Sequence, residues 1–66
     1  MCEQTQELDG WTIHAVFRYG LWHVSASNWC DDEHSEGPTP DIALARLADM
    51  IRVDHQKLLR LFGLLR

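Results

Sequence analysis

A two-residue alternation from Trp11 to Ser27, interrupted at Tyr19-Gly20, constrains the fold of this chain more than any other feature. Trp11, Ile13, Ala15 and Phe17 fall on one side of an extended segment, and Thr12, His14, Val16 and Arg18 on the other. Strand side chains point alternately to two faces, so a period of two marks a half-buried strand. After Tyr19-Gly20, Trp22, Val24 and Ala26 share one face and Leu21, His23, Ser25 and Ser27 the other. Glycine supplies the positive φ that a two-residue hairpin turn requires. With Tyr19 and Gly20 as the turn, Phe17 meets Trp22, Ala15 meets Val24 and Ile13 meets Ala26. Each apolar residue then has an apolar partner, and a one-residue slip would carry the whole set to the wrong face.

The rest of the chain is organised around this hairpin (residues 11–29). Asp9-Gly10 is a further turn signal. Residues 1–10 therefore read either as a polar leader or as an edge strand over 4–8 that makes a three-stranded meander. Residues 30–38 read as an acidic loop. Thr39-Pro40-Asp41 then opens a helical region, 39–66: threonine caps, proline suits the first helical position and the acid complements the helix dipole. Leu44, Leu47, Ala48 and Ile51 form one apolar stripe. A single helix continued past Arg52 would place Val53 on the polar face and His55 in the stripe. A break near 52–54, with Asp54 capping a second helix and Gly63 ending it, removes both conflicts. The expected fold is α+β: an antiparallel hairpin or meander packed against two C-terminal helices, in one small domain.

At 66 residues the chain buries only about 60% of its unfolded surface, so a staple or a partner subunit is expected to support it. Two cysteines, Cys2 and Cys30, are too few for a secreted disulfide framework. The first residues lack the basic and apolar regions of a signal peptide, and no apolar run has the roughly 18–20 residues that span a bilayer. A cytoplasmic protein with reduced thiols is the expectation. The net charge of −4 is unevenly spread. Residues 1–39 hold seven acids and one base, Arg18; residues 40–66 hold three acids and five bases. Such an acidic body disfavours nucleic acid over the whole surface but leaves a local basic face on the helices.

The sequence offers four kinds of candidate site. Residues 47–61 resemble a helix-turn-helix unit, with Ala48 at the small position and Leu47, Ile51, Val53, Leu58 and Leu61 at the apolar ones; Arg52 stands where that motif usually has glycine. The resemblance implies a recognition helix presenting Gln56, Lys57 and Arg60 to DNA; an ordinary helical hairpin would show the same spacing. His14 and His23, diagonal neighbours on the outward face, join Cys30 and His34 as conceivable zinc ligands, but no paired C-x2-C spacing supports them. No metal or cofactor is expected. Cys30 with a histidine, or the acids after it, lacks the ordered base and orienting group of a nucleophilic site, so no enzyme activity is expected. The fourth site is a protein-binding surface: Trp29 as an aromatic anchor, with Asp31, Asp32, Glu33 and Glu36 steering a basic partner. The run from Leu58 onward is apolar on most sides, and Leu58, Leu61, Phe62 and Leu65 are the expected contacts of a homodimer.

The segment Gly37-Pro38-Thr39-Pro40-Asp41-Ile42-Ala43-Leu44, following a hairpin, resembles the strand–strand–helix core of HicB-type antitoxins, which enter their helix through a G-x-T-P-x-x-A-L pattern. Gly37, Thr39, Pro40, Ala43 and Leu44 match, and the likeness covers residues 11–51. Small acidic inhibitors carried by phages share this general character. The resemblance implies a non-enzymatic bacterial or phage protein that binds and silences a protein partner, often with a DNA-binding segment as well. The resulting expectation is a protein-binding inhibitor acting as a homodimer, with a DNA-binding regulator as the alternative.

Overall fold

A computed structural model describes residues 3–64. Four strands, β1 (Glu3–Leu8), β2 (Trp11–Arg18), β3 (Leu21–Ser27) and β4 (Asp32–Gly37), form one antiparallel meander in that order, followed by α1 (Pro40–Ile51) and α2 (His55–Leu61). The α+β class is as expected from the sequence. The β2–β3 register is also the one the alternation demands: Phe17 opposite Trp22, Ala15 opposite Val24, Ile13 opposite Ala26. The Phe17 and Trp22 rings sit 5.5 Å apart, tilted by 56°, within the range favoured by aromatic pairs. Both central residues of the two tight turns have positive φ: 51° and 85° at Asp9-Gly10, 55° and 78° at Tyr19-Gly20. That geometry matches the right-handed twist of the strands on either side. Residues 4–8 lie within β1, with Gln4, Gln6 and Leu8 paired to Ala15, Ile13 and Trp11.

The acidic loop expected over 30–38 is mostly strand. β4 pairs with β3 through Ser27–Asp32, Ser25–His34 and His23–Glu36 on the outer face, and through Ala26–Glu33, Val24–Ser35 and Trp22–Gly37 on the helix-side face. β4 contains no apolar side chain larger than a methylene stem, so hydropathy does not reveal its period of two.

The helices cover one face of the sheet. Thr39 accepts from the Ile42 N–H at 3.4 Å and Pro40 takes the first helical position. The Thr39 hydroxyl, against the opposing effect of desolvation and with help from the Asp41 and Ile42 backbone N–H groups, holds the Asp41 carboxyl below its ordinary range. This stabilising contact is therefore present at neutral pH and is lost as pH falls through that lowered value. Ala43, Leu44, Leu47, Ala48 and Ile51 make the buried stripe. A Cβ on Gly37 would lie 3.1 Å from both the Ala43 nitrogen and the Ile42 Cγ2, so β4 and the start of α1 pack closer than a side chain there would permit. Together with Ile13, Val24, Ala26 and Leu58, the stripe forms the core, and the described residues contain no buried polar or charged residue.

The helical region is a pair, as the placement of Val53 and His55 predicts. Arg52 adopts the left-handed conformation (φ 60°, ψ 45°), and the Val53 N–H donates back to the Ala48 carbonyl. Asp54 caps α2 by accepting from Gln56 N and Lys57 N at 2.8 and 3.3 Å. At the other end Gly63 (φ 75°) donates to the Arg60 carbonyl and Leu64 to the Leu59 carbonyl, the paired bonds of a Schellman stop. Arg52 occupies the corresponding position on α1, where a left-handed non-glycine residue costs about 1–2 kcal/mol. Arg52→Gly should therefore raise stability by about 0.5–1 kcal/mol, once the added chain entropy of glycine is subtracted. Urea unfolding checks this; an unchanged or lower midpoint would show that the Arg52 conformation is unstrained.

Candidate functional site

The β3–β4 turn occupies residues 28–31. Asn28 Oδ1 accepts from Cys30 N at 2.8 Å and Asp31 N at 2.6 Å, while the Asn28 N–H donates to the Asp31 carbonyl at 2.9 Å. Asparagine side chains close turns in this way by imitating a backbone carbonyl. The closure projects Trp29 into solvent with 96% of its surface exposed. Cys30, beside it, is an exposed free thiol. The asparagine was the available signal for this turn: Asn28 at the head of a polar quartet marks a side-chain-closed turn between two strands.

The four acids expected to accompany Trp29 are dispersed by β4. Asp31 lies in the turn and Asp32 opens the strand, both close to Trp29 in the chain. Glu36 points to the same outer face as Asp32 but sits four residues along, about 13 Å away at the rise of a strand. Glu33 points to the helix-side face and is half-buried. The single patch expected from the sequence is thus corrected to a Trp29–Asp31–Asp32 tip, because alternation sends neighbouring acids to opposite faces.

The outer sheet face carries the histidines. His14 and His23 are diagonal neighbours, as the hairpin register predicts. Each approaches a carboxylate on an edge strand: His14 Nε2 to Glu3 Oε2 at 3.2 Å, and His23 Nδ1 to Glu36 Oε2 at 3.4 Å. His23 Nε2 also lies 3.2 Å from the Arg18 carbonyl. Such partly exposed pairs contribute about 0–1 kcal/mol each. His34 faces Ser25, and Cys30 belongs to the turn rather than to this face. Among the described residues, no three His, Cys, Asp or Glu side chains are placed to hold a metal ion. Ser25, Ser27, Asp32 and His34 border an open depression at the β4 end of the sheet. No hydrogen bond among the described residues links them in the way that would order a nucleophile and a base.

On the helical layer, Gln56, Lys57 and Arg60 are all exposed along α2. His55 Nε2 and Asp49 Oδ1, 2.7 Å apart, tie α2 to α1. The residues expected at a dimer contact are divided. Leu58 is wholly buried and Phe62 nearly so, both in the core of their own chain. Leu61 is half-buried, and Leu65 lies outside the described residues. The correction follows from geometry: α2 lies back against α1, so Leu58 and Phe62 are used inside the molecule. Among the described residues no helix is long and apolar enough to cross a membrane.

No protein-family model matches the chain, and no curated protein or solved structure matches it at a significant level.

The turn that carries Trp29 is closed by one backbone bond and by the Asn28 side chain, which makes that side chain testable. Asn28→Ala should lower stability by about 1 kcal/mol through loss of the side-chain bonds to two backbone donors, and should speed amide hydrogen exchange at Cys30 and Asp31 relative to β2. Unchanged exchange at those two amides would show that Asn28 does not order the loop.

Proposed function

We propose that this chain is a small protein-binding regulator, an inhibitor or antitoxin-like module without catalytic activity, that engages its partner through the tip of the β3–β4 hairpin. The observation that carries the reading is Trp29: a large indole, 96% exposed, on a turn closed by the Asn28 side chain. Tryptophan is enriched among the few residues that dominate interface energetics, and a preordered loop loses less entropy on binding. Asp31 and Asp32 beside it favour a partner with a basic surface and speed encounter with it. A cytoplasmic setting belongs to the same reading. For the homodimer expected from the leucine-rich C-terminus, the apolar groups still available among the described residues there are Leu59 and Leu61, both half-buried, and Leu64, 40% exposed.

The test is a pull-down from the native host with wild-type and Trp29→Ala chains in parallel. The variant should keep its stability to within about 0.5 kcal/mol, since Trp29 supports nothing in the fold. It should lose the specific partner, with affinity falling roughly thirty-fold, equivalent to about 2 kcal/mol. A partner retained at wild-type affinity would sink the assignment of Trp29.

One observation favours a second reading, DNA binding. Arg52 adopts the left-handed turn conformation that the helix-turn-helix glycine would take, and Gln56, Lys57 and Arg60 stand exposed on the helix that follows. Against it, α2 spans only 7 residues, and the sheet beside it is acidic. Duplex binding that weakens steeply with salt and disappears in Arg60→Ala would establish this reading; no binding at low salt would remove it.

A further inference from the structure

Among the described residues, β1 is an open edge of the sheet. It pairs with β2, and neither helix makes more than marginal contact with it. About half of the backbone N–H and C=O groups of an edge strand point away from its neighbour, towards any strand that might be added. The opposite edge is differently built: α1 lies along β4, and Arg46 Nη1 donates to the Glu36 carbonyl at 2.9 Å.

The two faces of β1 present different chemistry. Glu3, Thr5 and Glu7 stand on the outer face, and Gln4, Gln6 and Leu8 on the helix-side face. At Gln4 the helix-side face opens into an apolar crevice of about 120 Å3, walled by Ala15, Trp22, Leu44, Phe62 and Leu64. A strand added here would direct alternate side chains to these two environments.

We propose that the β1 edge accepts an extended segment of another protein in which lysine or arginine alternates with apolar residues. The cations lie beside Glu3 and Glu7, the apolar side chains turn towards the crevice, and backbone hydrogen bonds join the segment to β1, as in other strand-addition interfaces. A second copy of this chain lacks the complementary charge, since Arg18 is the one lysine or arginine in its four strands. Antiparallel pairing of β1 with itself about Thr5 sets Glu3 opposite Glu7 twice, and like charges directly opposed are destabilising. This surface is separate from Trp29, which lies at the β3–β4 turn on the far side of the sheet.

The experiment titrates the isotope-labelled full chain with a peptide of about eight residues alternating lysine and valine. The expected result is chemical-shift change concentrated in β1, with slowed hydrogen exchange at its outward-pointing amides. Glu3→Gln/Glu7→Gln should weaken binding about five-fold, the effect of two cross-strand charge pairs. The same peptide N-methylated at alternate residues should not bind, and neither should one alternating glutamate and valine. Shifts confined to the helices or to the Trp29 turn would overturn the proposal. So would equal binding of the N-methylated peptide, or wild-type β1 amides already protected by self-association. The double glutamine variant removes two exposed carboxylates, and with Glu3 the contact to His14; its own spectrum reports whether it is folded.

Discussion

The molecule depends on one packed seam. Ile13, Ala15, Val24 and Ala26 form the floor, and Leu44, Leu47 and Leu58 press onto it from the helices. A buried aliphatic side chain is worth roughly 1.5–3 kcal/mol, and a chain of this length has few of them. Small residues alternate with large ones across the seam: Ala15 and Ala26 below, Ala43 and Ala48 above. This lets α1 lie close to β3 and β4, and the missing side chain at Gly37 lets the end of β4 approach the first turn of α1. The G-x-T-P-x-x-A-L segment thus has a packing explanation residue by residue. Gly37 and Ala43 permit the approach, Thr39 and Pro40 start the helix, and Leu44 enters the core.

Because the helices cover one face only, the chain has two unlike sides. Seven of its acids lie on the sheet and its turns, whereas four of the described bases lie on the helical layer. The outer face carries hydroxyl residues and histidines around Val16, and two of the histidines, His14 and His23, approach edge carboxylates. Charged edges discourage sheets from pairing with their own copies. Trp29 is the most exposed of the large hydrophobic side chains among the described residues, ahead of Tyr19 in the β2–β3 turn.

Legibility in the sequence varied with the physical signal available. The β2–β3 register could be derived because each apolar residue had one matching partner. The break at Arg52 could be derived because a continuous helix misplaced Val53 and His55, and Asp54 was an evident cap. β4 was hidden because Asp32, Glu33, His34, Ser35 and Glu36 show no hydropathy alternation; only the pairing partners on β3 give that segment its extended form. The same omission misplaced the acidic patch, since a loop was expected to gather what a strand separates. Leu58 and Phe62 read as surplus hydrophobicity because hydropathy alone does not show α2 folding back against α1, which is what brings them into the core.

Local chemistry was therefore set by the sequence: where strands turn, where helices start and stop, which residues face each other across the first hairpin, and that Trp29 stands in a polar segment. These properties depend on neighbours within a few residues or on a single short-range pairing. Tertiary structure decided the rest. It determined that the acidic segment becomes a strand, that α2 folds back to bury Leu58 and Phe62, and that β1 keeps an open edge among the described residues while α1 and Arg46 lie against β4. Those outcomes depend on which surfaces remain uncovered once the core is assembled, and that is a property of the whole packing rather than of any segment.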